Sequence, residues 1–371
     1  MRDRHLHVVL STIFAVRGGI PRFNQMLCLA LDRLAPQLGL QVTVVSQDDT
    51  EEDYRRAGSP WRHLRLVPGR GPLRLAIGTL GRCMRQRPDL MLIGLMGMSP
   101  VGVLCRPWVR GGFGFVAHGL DIWDETRASR IACGRRARFV LAVSNYTAQS
   151  VHDTVGLAKE RIQLLPNTLD PGFHSQPVEQ TGESQGPPEL LTVSRLTAQE
   201  SMKGVDHTIR AFAEIGRKHP DARYRIVGEG SDKPRLQELA RSLGIGERVI
   251  FEEGLSDDEL ARRYRDCSLF VMPSGQEGFG IVFLEAMRFG KPCIGGDAGG
   301  TPDVIIDGET GFLVPFADVA ALESALDRLL GDTALRRRFG LAGGRRLEQR
   351  FVFERYQERV GEILQDFLPP R

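Results

Sequence analysis

Short apolar runs alternate with stretches of helical apolar spacing along almost the whole chain. In the first part the runs lie at 6–10, 41–46, Leu90–Ile93, 113–116, 140–143 and 162–165, and each reads as a short buried strand. Apolar positions at helical spacing over 23–34 and 73–87 predict helices. A further element begins at 100–105, and Ser144-Asn145 can cap a helix starting near Tyr146. The pattern then starts again. Runs at 190–193, 224–227, 249–251, Leu269–Met272 and 292–295 are separated by helical stretches at 204–218, 233–243, 256–264 and 281–289. Such alternation gives a parallel sheet with helices on both faces. The chain is therefore read as α/β, with two Rossmann-like parallel-sheet domains facing each other across a cleft. Charge-rich helical stretches at 320–330, 335–349 and 352–368 follow. Residues 171–188, rich in Pro, Gly, Ser, Gln and Glu and without periodicity, read as a linker. The expected domains are 1–170 and 189–350, with 351–371 a last helix that can cross back to the first domain.

Length agrees with two domains, since 371 residues exceed one ordinary core. The net charge of +3 is unevenly divided. Residues 1–170 hold 23 Lys and Arg against 14 Asp and Glu, while the remainder holds 26 against 32. A basic half suits an anionic partner: nucleic acid, an acidic membrane or a phosphorylated substrate. Nucleic acid is disfavoured, because the arginines lack interleaved aromatics and any recognisable module. The scattered cysteines (Cys28, Cys83, Cys105, Cys133, Cys267, Cys293) form no Cys-x-x-Cys pair, which favours a reducing, cytoplasmic setting without structural zinc. The 6–10 run is too short for a signal-peptide core, and no stretch has the length of a spanning helix. The expectation is a soluble protein, at most peripheral on the inner face of a membrane.

From Arg55 to Pro88 the chain carries nine arginines and no acid. Within it, from Leu73 to Arg87, apolar residues at 73, 75, 76, 77, 80 and 84 are interspersed with Arg74, Arg82, Arg85 and Arg87. This stretch reads either as a basic amphipathic helix lying on an anionic membrane or as an ordinary surface helix packed on a sheet. The acidic loop at 48–53 reads as solvated.

Ligands of open α/β sheets bind beyond the carboxyl ends of the strands, so the residues after each run are the candidates. The first domain offers Gly18-Gly19, His118 and Asn167. The second offers Ser194-Arg195, Gly228-Glu229-Gly230, the loop from Ser274 to Gly280, and residues 297–301. Gly18 and Gly19 provide either a tight turn or close backbone approach to a ligand. His118 is either a structural hydrogen-bonder or a ligand contact. Asp121 is either a second polar group or a helix cap, and Glu229 carries no assigned role. Arg195 and Lys203 are a natural pair for a diphosphate, one planar fork and one compact ammonium, although either could be a solvated cation. After the run Leu269–Met272 comes a glycine-bearing loop and then a helix, with Glu277 on the loop and Glu285 expected about two turns into the helix. A helix start of this kind is an anion site, and phosphate beside two carboxylates points to a sugar nucleotide. There is no Asp-x-Asp after a strand and no histidine cluster, so no metal is expected. No Gly-x-Ser-x-Gly elbow is present either.

Together these residues resemble a known family. Glu277 and Glu285 stand as an E-x7-E pair within Pro-Ser-x-x-Glu-Gly-Phe-Gly. With Ser194-Arg195-Leu196, Lys203-Gly204, His118-Gly119 and Gly18-Gly19 in order, they resemble the retaining GT-B glycosyltransferases of the group-4 family, the glycosyl transferases group 1. Residues 199–202 make the Arg195–Lys203 connection a little longer than in its tightest members. The resemblance implies that Arg195 and Lys203 bind the donor diphosphate, helped by backbone N–H groups of Gly278, Phe279 and Gly280 and by the Gly18-Gly19 loop. It implies that Glu285 holds the ribose hydroxyls, that Glu277 contacts the donor sugar, and that His118 lies at the sugar near the reacting centre. The implied reaction is metal-independent, needs no cofactor, and retains the anomeric configuration. The donor would be a UDP- or GDP-linked hexose and the acceptor a lipid-linked or glycan chain in cell-surface polysaccharide assembly. A sugar-nucleotide epimerase or phosphorylase of the same fold, or a non-catalytic sugar-binding scaffold, are the alternatives. The short length and missing pyridoxal-lysine context speak against a phosphorylase. The intact His118, Arg195, Lys203, Glu277 and Glu285 speak against a decayed scaffold.

Overall fold

A computed structural model of the chain describes residues 4–58, 61–123, 127–175 and 186–370. The chain divides into two compact units. One comprises Met1–Asp170 with Phe353–Arg371, the other Pro171–Val352. Of the linker read at 171–188, residues 176–185 lie outside the described residues, and Pro171–His174 form a short helix.

The first unit contains strands β1 (Arg4–Leu10), β2 (Leu40–Ser46), β3 (Leu64–Pro68), β4 (Leu90–Ile93), β5 (Phe113–Ala117), β6 (Phe139–Ala142) and β7 (Ile162–Leu164). They form one sheet in the order β3-β2-β1-β4-β5-β6-β7. The second contains β8 (Glu189–Val193), β9 (Arg223–Val227), β10 (Val249–Glu252), β11 (Leu269–Met272), β12 (Cys293–Gly296) and β13 (Gly311–Val314), in the order β10-β9-β8-β11-β12-β13. Every pairing between these strands is parallel. In each unit the order runs outward from the first strand one way and then reverses through the fourth. Loops leaving those two strands therefore diverge and open a crevice at the sheet's carboxyl edge. In the first unit that point lies between β1 and β4, in the second between β8 and β11.

Central strands are buried on both faces and so read as unbroken apolar runs, such as Leu-Met-Leu-Ile in β4 and Leu-Phe-Val-Met in β11. β3 and β13, which the apolar pattern did not reveal, are edge strands. β3 carries Arg65 and ends in Pro68, and most of its residues are only half-buried, so its apolar signal is diluted. The helix Phe353–Phe367 packs on the first unit. Its Val360, Ile363 and Leu364 face Leu27, Leu31, Leu90, Leu92, Phe139 and Leu141. Arg359 donates from Nη2 to Gln163 Oε1 at 2.8 Å, and Phe367 stacks on Phe139 with ring centroids 4.1 Å apart.

The basic stretch folds as the helix Pro72–Gln86, between Gly71 and Arg87. Leu75, Thr79 and Cys83 face the sheet and are buried. Leu73, Ile77 and Met84 are 72%, 63% and 51% exposed. Spacing of four and seven residues puts these three on one stripe, so the helix has an outward apolar face beside its buried one, while Leu80 packs against the core. Among the described residues no helix is long and apolar enough to cross a membrane.

Candidate functional site

In the second unit the chain leaving β8 passes Arg195 and turns through a 3-10 segment, Ala198–Lys203, that ends at Gly204. Gly204 has φ 71, and a Cβ there would stand 2.7 Å from the carbonyl oxygen of Pro273. Only glycine lets the two backbones come this close. Gly275 N–H donates to Met202 O at 2.8 Å, which ties the turn to the loop leaving β11. The result is that Lys203 Nζ lies 2.6 Å from Glu277 Oε2, with the two side chains 21% and 13% exposed. Glu277 is fixed from its other side as well. Its carbonyl accepts from Gly300 N–H at 2.7 Å, and a Cβ on Gly299 would approach that carbonyl oxygen to 2.4 Å. Arg195, by contrast, has an exposed side chain, and its guanidinium pairs with Glu200 of the same turn.

The helix Ile281–Arg288 starts directly after this loop. Gly280 stands at its N-cap position, so no side chain caps the first turn. Phe279 contributes backbone rather than ring: its side chain is buried and meets Phe351 edge-on at 5.6 Å. Glu285 is the fifth residue of the helix, little more than one turn in rather than two. Side chains of a helix tilt towards its N-terminus, which carries the carboxylate back towards the loop. Glu285 is 9% exposed, and its Oε2 accepts a 2.7 Å hydrogen bond from Tyr264 Oη. Glu229 is exposed on the Gly228–Gly230 turn, where its carbonyl accepts from Leu196 N–H at 2.8 Å.

In the first unit Gly18 and Gly19 are exposed at the start of the helix Gly19–Leu38, again with no side-chain cap. Phe23 of that helix packs edge-on against His118, with ring centroids 4.8 Å apart. His118 Nε2 lies 3.0 Å from Gly94 O. A carbonyl can only accept, so Nε2 carries the proton and Nδ1 presents a lone pair. Burial holds this imidazole below its ordinary pKa, against the opposing pull of Asp121, so the ring is neutral near pH 7. Asp121 accepts from His118 N–H at 2.8 Å and Met96 N–H at 3.3 Å. Its role is to fix the backbone around the strand end, and burial raises its carboxyl above the usual range. Asn167 is buried.

Three contributors escaped the sequence pattern. The acidic loop at 48–53 is not simply solvated, because Asp49 is 1% exposed. Its carboxylate accepts from the N–H groups of Ile13, Phe14 and Ala15 at 2.7, 2.8 and 2.8 Å, and so shapes the loop that delivers Gly18-Gly19. A single acid within an acidic run carries no signal that would single it out. Glu200 stands between Arg195 and Lys203, where its charge was the available clue. Tyr264 reads only as one more buried position of the helix Asp257–Asp266. Among the described residues, no three His, Cys, Asp or Glu side chains gather as a metal-binding group.

Replacing Asp49 by Ala leaves three N–H groups of a tight loop without their acceptor. The expected loss of stability is about 1–3 kcal/mol, the cost of leaving the buried Ile13 N–H unsatisfied, since the other two donors are partly open to water. Hydrogen exchange at Ile13, Phe14 and Ala15 should accelerate, and unchanged exchange at these amides would contradict the assignment.

The family profile Glycosyl transferases group 1 matches residues 176–346, and Glycosyltransferase Family 4 matches residues 17–173. A GDP-mannose-dependent alpha-(1-6)-phosphatidylinositol monomannoside mannosyltransferase of Mycolicibacterium smegmatis is 33% identical over 61% of this chain. That match spans 63% of the mycobacterial protein, short of two thirds of its length. An N-acetyl-alpha-D-glucosaminyl L-malate synthase of Bacillus anthracis is 30% identical over 68% of this chain and 67% of its own. Among solved structures, Anabaena HepE in complex with UDP and glucose superposes with a TM-score of 0.77 at 20% identity, over 97% of this chain and 99% of that one. The two parallel sheets and this likeness identify the fold as GT-B. The chain belongs to the glycosyl transferases group 1 family.

Proposed function

We propose that the protein is a retaining, metal-independent glycosyltransferase that moves a hexose from a UDP- or GDP-linked donor to a lipid-linked or glycan acceptor in cell-surface polysaccharide assembly. The observation that carries this reading is the arrangement at the carboxyl edge of β8 and β11. Two cations, Lys203 and Arg195, stand there beside an uncapped helix start, each already paired with a carboxylate. The mycobacterial relative is named for a GDP-mannose donor and a phosphatidylinositol mannoside acceptor, and HepE was solved with UDP and glucose. Both support a nucleoside-diphosphate sugar as donor.

On this reading the diphosphate enters between the cations and takes them over from Glu277 and Glu200. Glu277, released from Lys203, turns to hydroxyls of the donor sugar, and Glu285 takes the ribose hydroxyls. N–H groups of Gly278, Phe279 and Gly280 complete the phosphate contacts. In the first unit, the family resemblance gives His118, with Nδ1 as acceptor, and the Gly18-Gly19 backbone their expected roles towards sugar and phosphate. The acceptor oxygen attacks the anomeric carbon on the face from which the diphosphate departs. The carbon–oxygen bond to phosphate breaks, and a phosphate oxygen takes the acceptor's proton. Rate acceleration then rests on donors and cations placed where the leaving group gains charge. No protein base is required.

The outward face of the helix Pro72–Gln86 supports a second part of the proposal, contact with the inner face of an anionic membrane. Leu73, Ile77 and Met84 would enter the apolar boundary, with Arg74 and Arg85 at the headgroups. Burial first, and then the neighbouring Arg65 and Arg85, lower the pKa of Arg82; an anionic lipid would offset the repulsion among these arginines.

A thermal-shift panel of nucleotide sugars tests the donor assignment, since a ligand of the folded state raises Tm by mass action. One UDP- or GDP-sugar should raise Tm in the intact protein. Lys203→Ala and Glu285→Ala should lower turnover by about 100-fold or more, the scale of one lost transition-state donor, while EDTA leaves the rate unchanged. Undiminished turnover in both variants would refute the phosphate and ribose assignments, and abolition by EDTA the metal-free one. For the membrane, Arg82, Arg85 and Arg87 all replaced by Glu should abolish sedimentation with phosphatidylglycerol vesicles. Equal sedimentation would return this helix to the role of an ordinary surface helix.

A further inference from the structure

Glu285 is a carboxylate in a poor place for one. Its helix neighbours Phe283, Leu284, Ala286 and Met287 are all buried, and Glu285 itself is 9% exposed. An ionised carboxylate so sheltered requires hydrogen-bond donors. One comes from Tyr264, twenty-one positions earlier in the chain, whose Oη lies 2.7 Å from Glu285 Oε2.

Tyr264 is itself held rigidly. It is fully buried, lies nearly parallel to Phe289 with ring centroids 6.3 Å apart, tilts against Phe270 at 5.7 Å, and takes Phe173 edge-on at 6.0 Å. An aromatic cage of this kind would accommodate a phenylalanine as well, and burying a hydroxyl costs free energy unless it is hydrogen-bonded. Desolvation and the Glu285 charge both keep the phenol protonated, so it is the donor of the pair. A donor on an immobile ring fixes the plane of the carboxylate it binds. With no exposed surface, Tyr264 can touch no ligand directly. Whatever it does to binding passes through Glu285.

We infer that Tyr264 is the positioning residue of the nucleotide site, fixing the Glu285 carboxylate in the orientation that receives the two ribose hydroxyls. This rests on the proposed assignment of Glu285 to the ribose. It makes donor affinity depend on a side chain that lies outside the E-x7-E segment and cannot contact the donor.

The test is isothermal titration of the intact protein with UDP and GDP and with their 2′,3′-dideoxy counterparts. Tyr264→Phe keeps the caged ring and removes only the hydroxyl. The variant should bind the ribonucleotide about tenfold more weakly, a loss on the scale of a hydrogen bond to a charged group. The dideoxy nucleotide, with no hydroxyls to receive, should bind wild type and variant alike. In a Glu285→Ala background the effect of Tyr264→Phe on the ribonucleotide should vanish, because the residue through which it acts is gone. Equal weakening of both nucleotides would make Tyr264 merely structural and overturn the inference. So would unchanged ribonucleotide affinity, or a loss that persists in the Glu285→Ala background. Should Tyr264→Phe fail to fold, the ratio of ribo- to dideoxynucleotide affinity in Tyr264→Leu, which also lacks the donor and is smaller than the ring it replaces, decides in the same way. If the wild type binds neither UDP nor GDP, the nucleotide assignment itself fails. If it binds them and Glu285→Ala leaves affinity untouched, the ribose role of Glu285 fails independently of Tyr264.

Discussion

The site in the second unit depends on how closely its strand-end loops cross. Lys203 and Glu277 are 74 positions apart and meet at 2.6 Å because Gly204 presses against Pro273 and Gly299 against the Glu277 carbonyl. A methyl group at either glycine would force those backbones apart. The loops are thus fixed by main-chain contacts, and the charged side chains ride on a rigid base rather than on one another's attraction. That is the arrangement needed to hold charges where a leaving group will form, without reorganisation at the moment of reaction.

Pairing both cations with internal carboxylates has an energetic consequence. An exposed ion pair is worth about 0–1 kcal/mol. The half-buried Lys203–Glu277 pair lies between that and the about 3–5 kcal/mol lost when one partner of a fully buried pair is removed. On the proposed reading an anion enters by exchange, and a lone weak anion has little to offer against a carboxylate already in place. A nucleoside diphosphate brings several charges on adjacent groups and can satisfy Lys203 and Arg195 together. Glu200 makes the Arg195 side of this exchange peculiar to a turn with room for an acid between the two cations.

Much of this was legible in the sequence, for a physical reason. Central parallel strands are buried on both faces, so β1, β4, β8 and β11 stand out as apolar runs, and the residues following them are the candidate site residues. The short spacing from Glu277 to Glu285 keeps both on one loop-and-helix unit. What escaped is what depends on tertiary contact. β3 lies at a sheet edge with half-buried residues and an arginine, so its composition blurs into loop, and β13 is an apolar run of only four residues that begins with glycine. Asp49 looks like its acidic neighbours until the backbone of residues 13–15 is folded around it. The partnership of Tyr264 with Glu285 joins two helices whose sequences hold no trace of each other, and the outward stripe of Pro72–Gln86 shows only once Leu75, Thr79 and Cys83 have taken the inward face.

On the proposed reading one anion site is built from the loops after β8 and β11. Hydrogen exchange read by mass spectrometry, with and without saturating UDP or GDP, addresses it most directly. Exchange should slow in 194–204 and 273–286, where the phosphates would displace internal carboxylates and engage loop N–H groups, with the rest of the second sheet unchanged. Nucleotide binding that leaves both segments unprotected, and slows exchange elsewhere in the second unit instead, would contradict it.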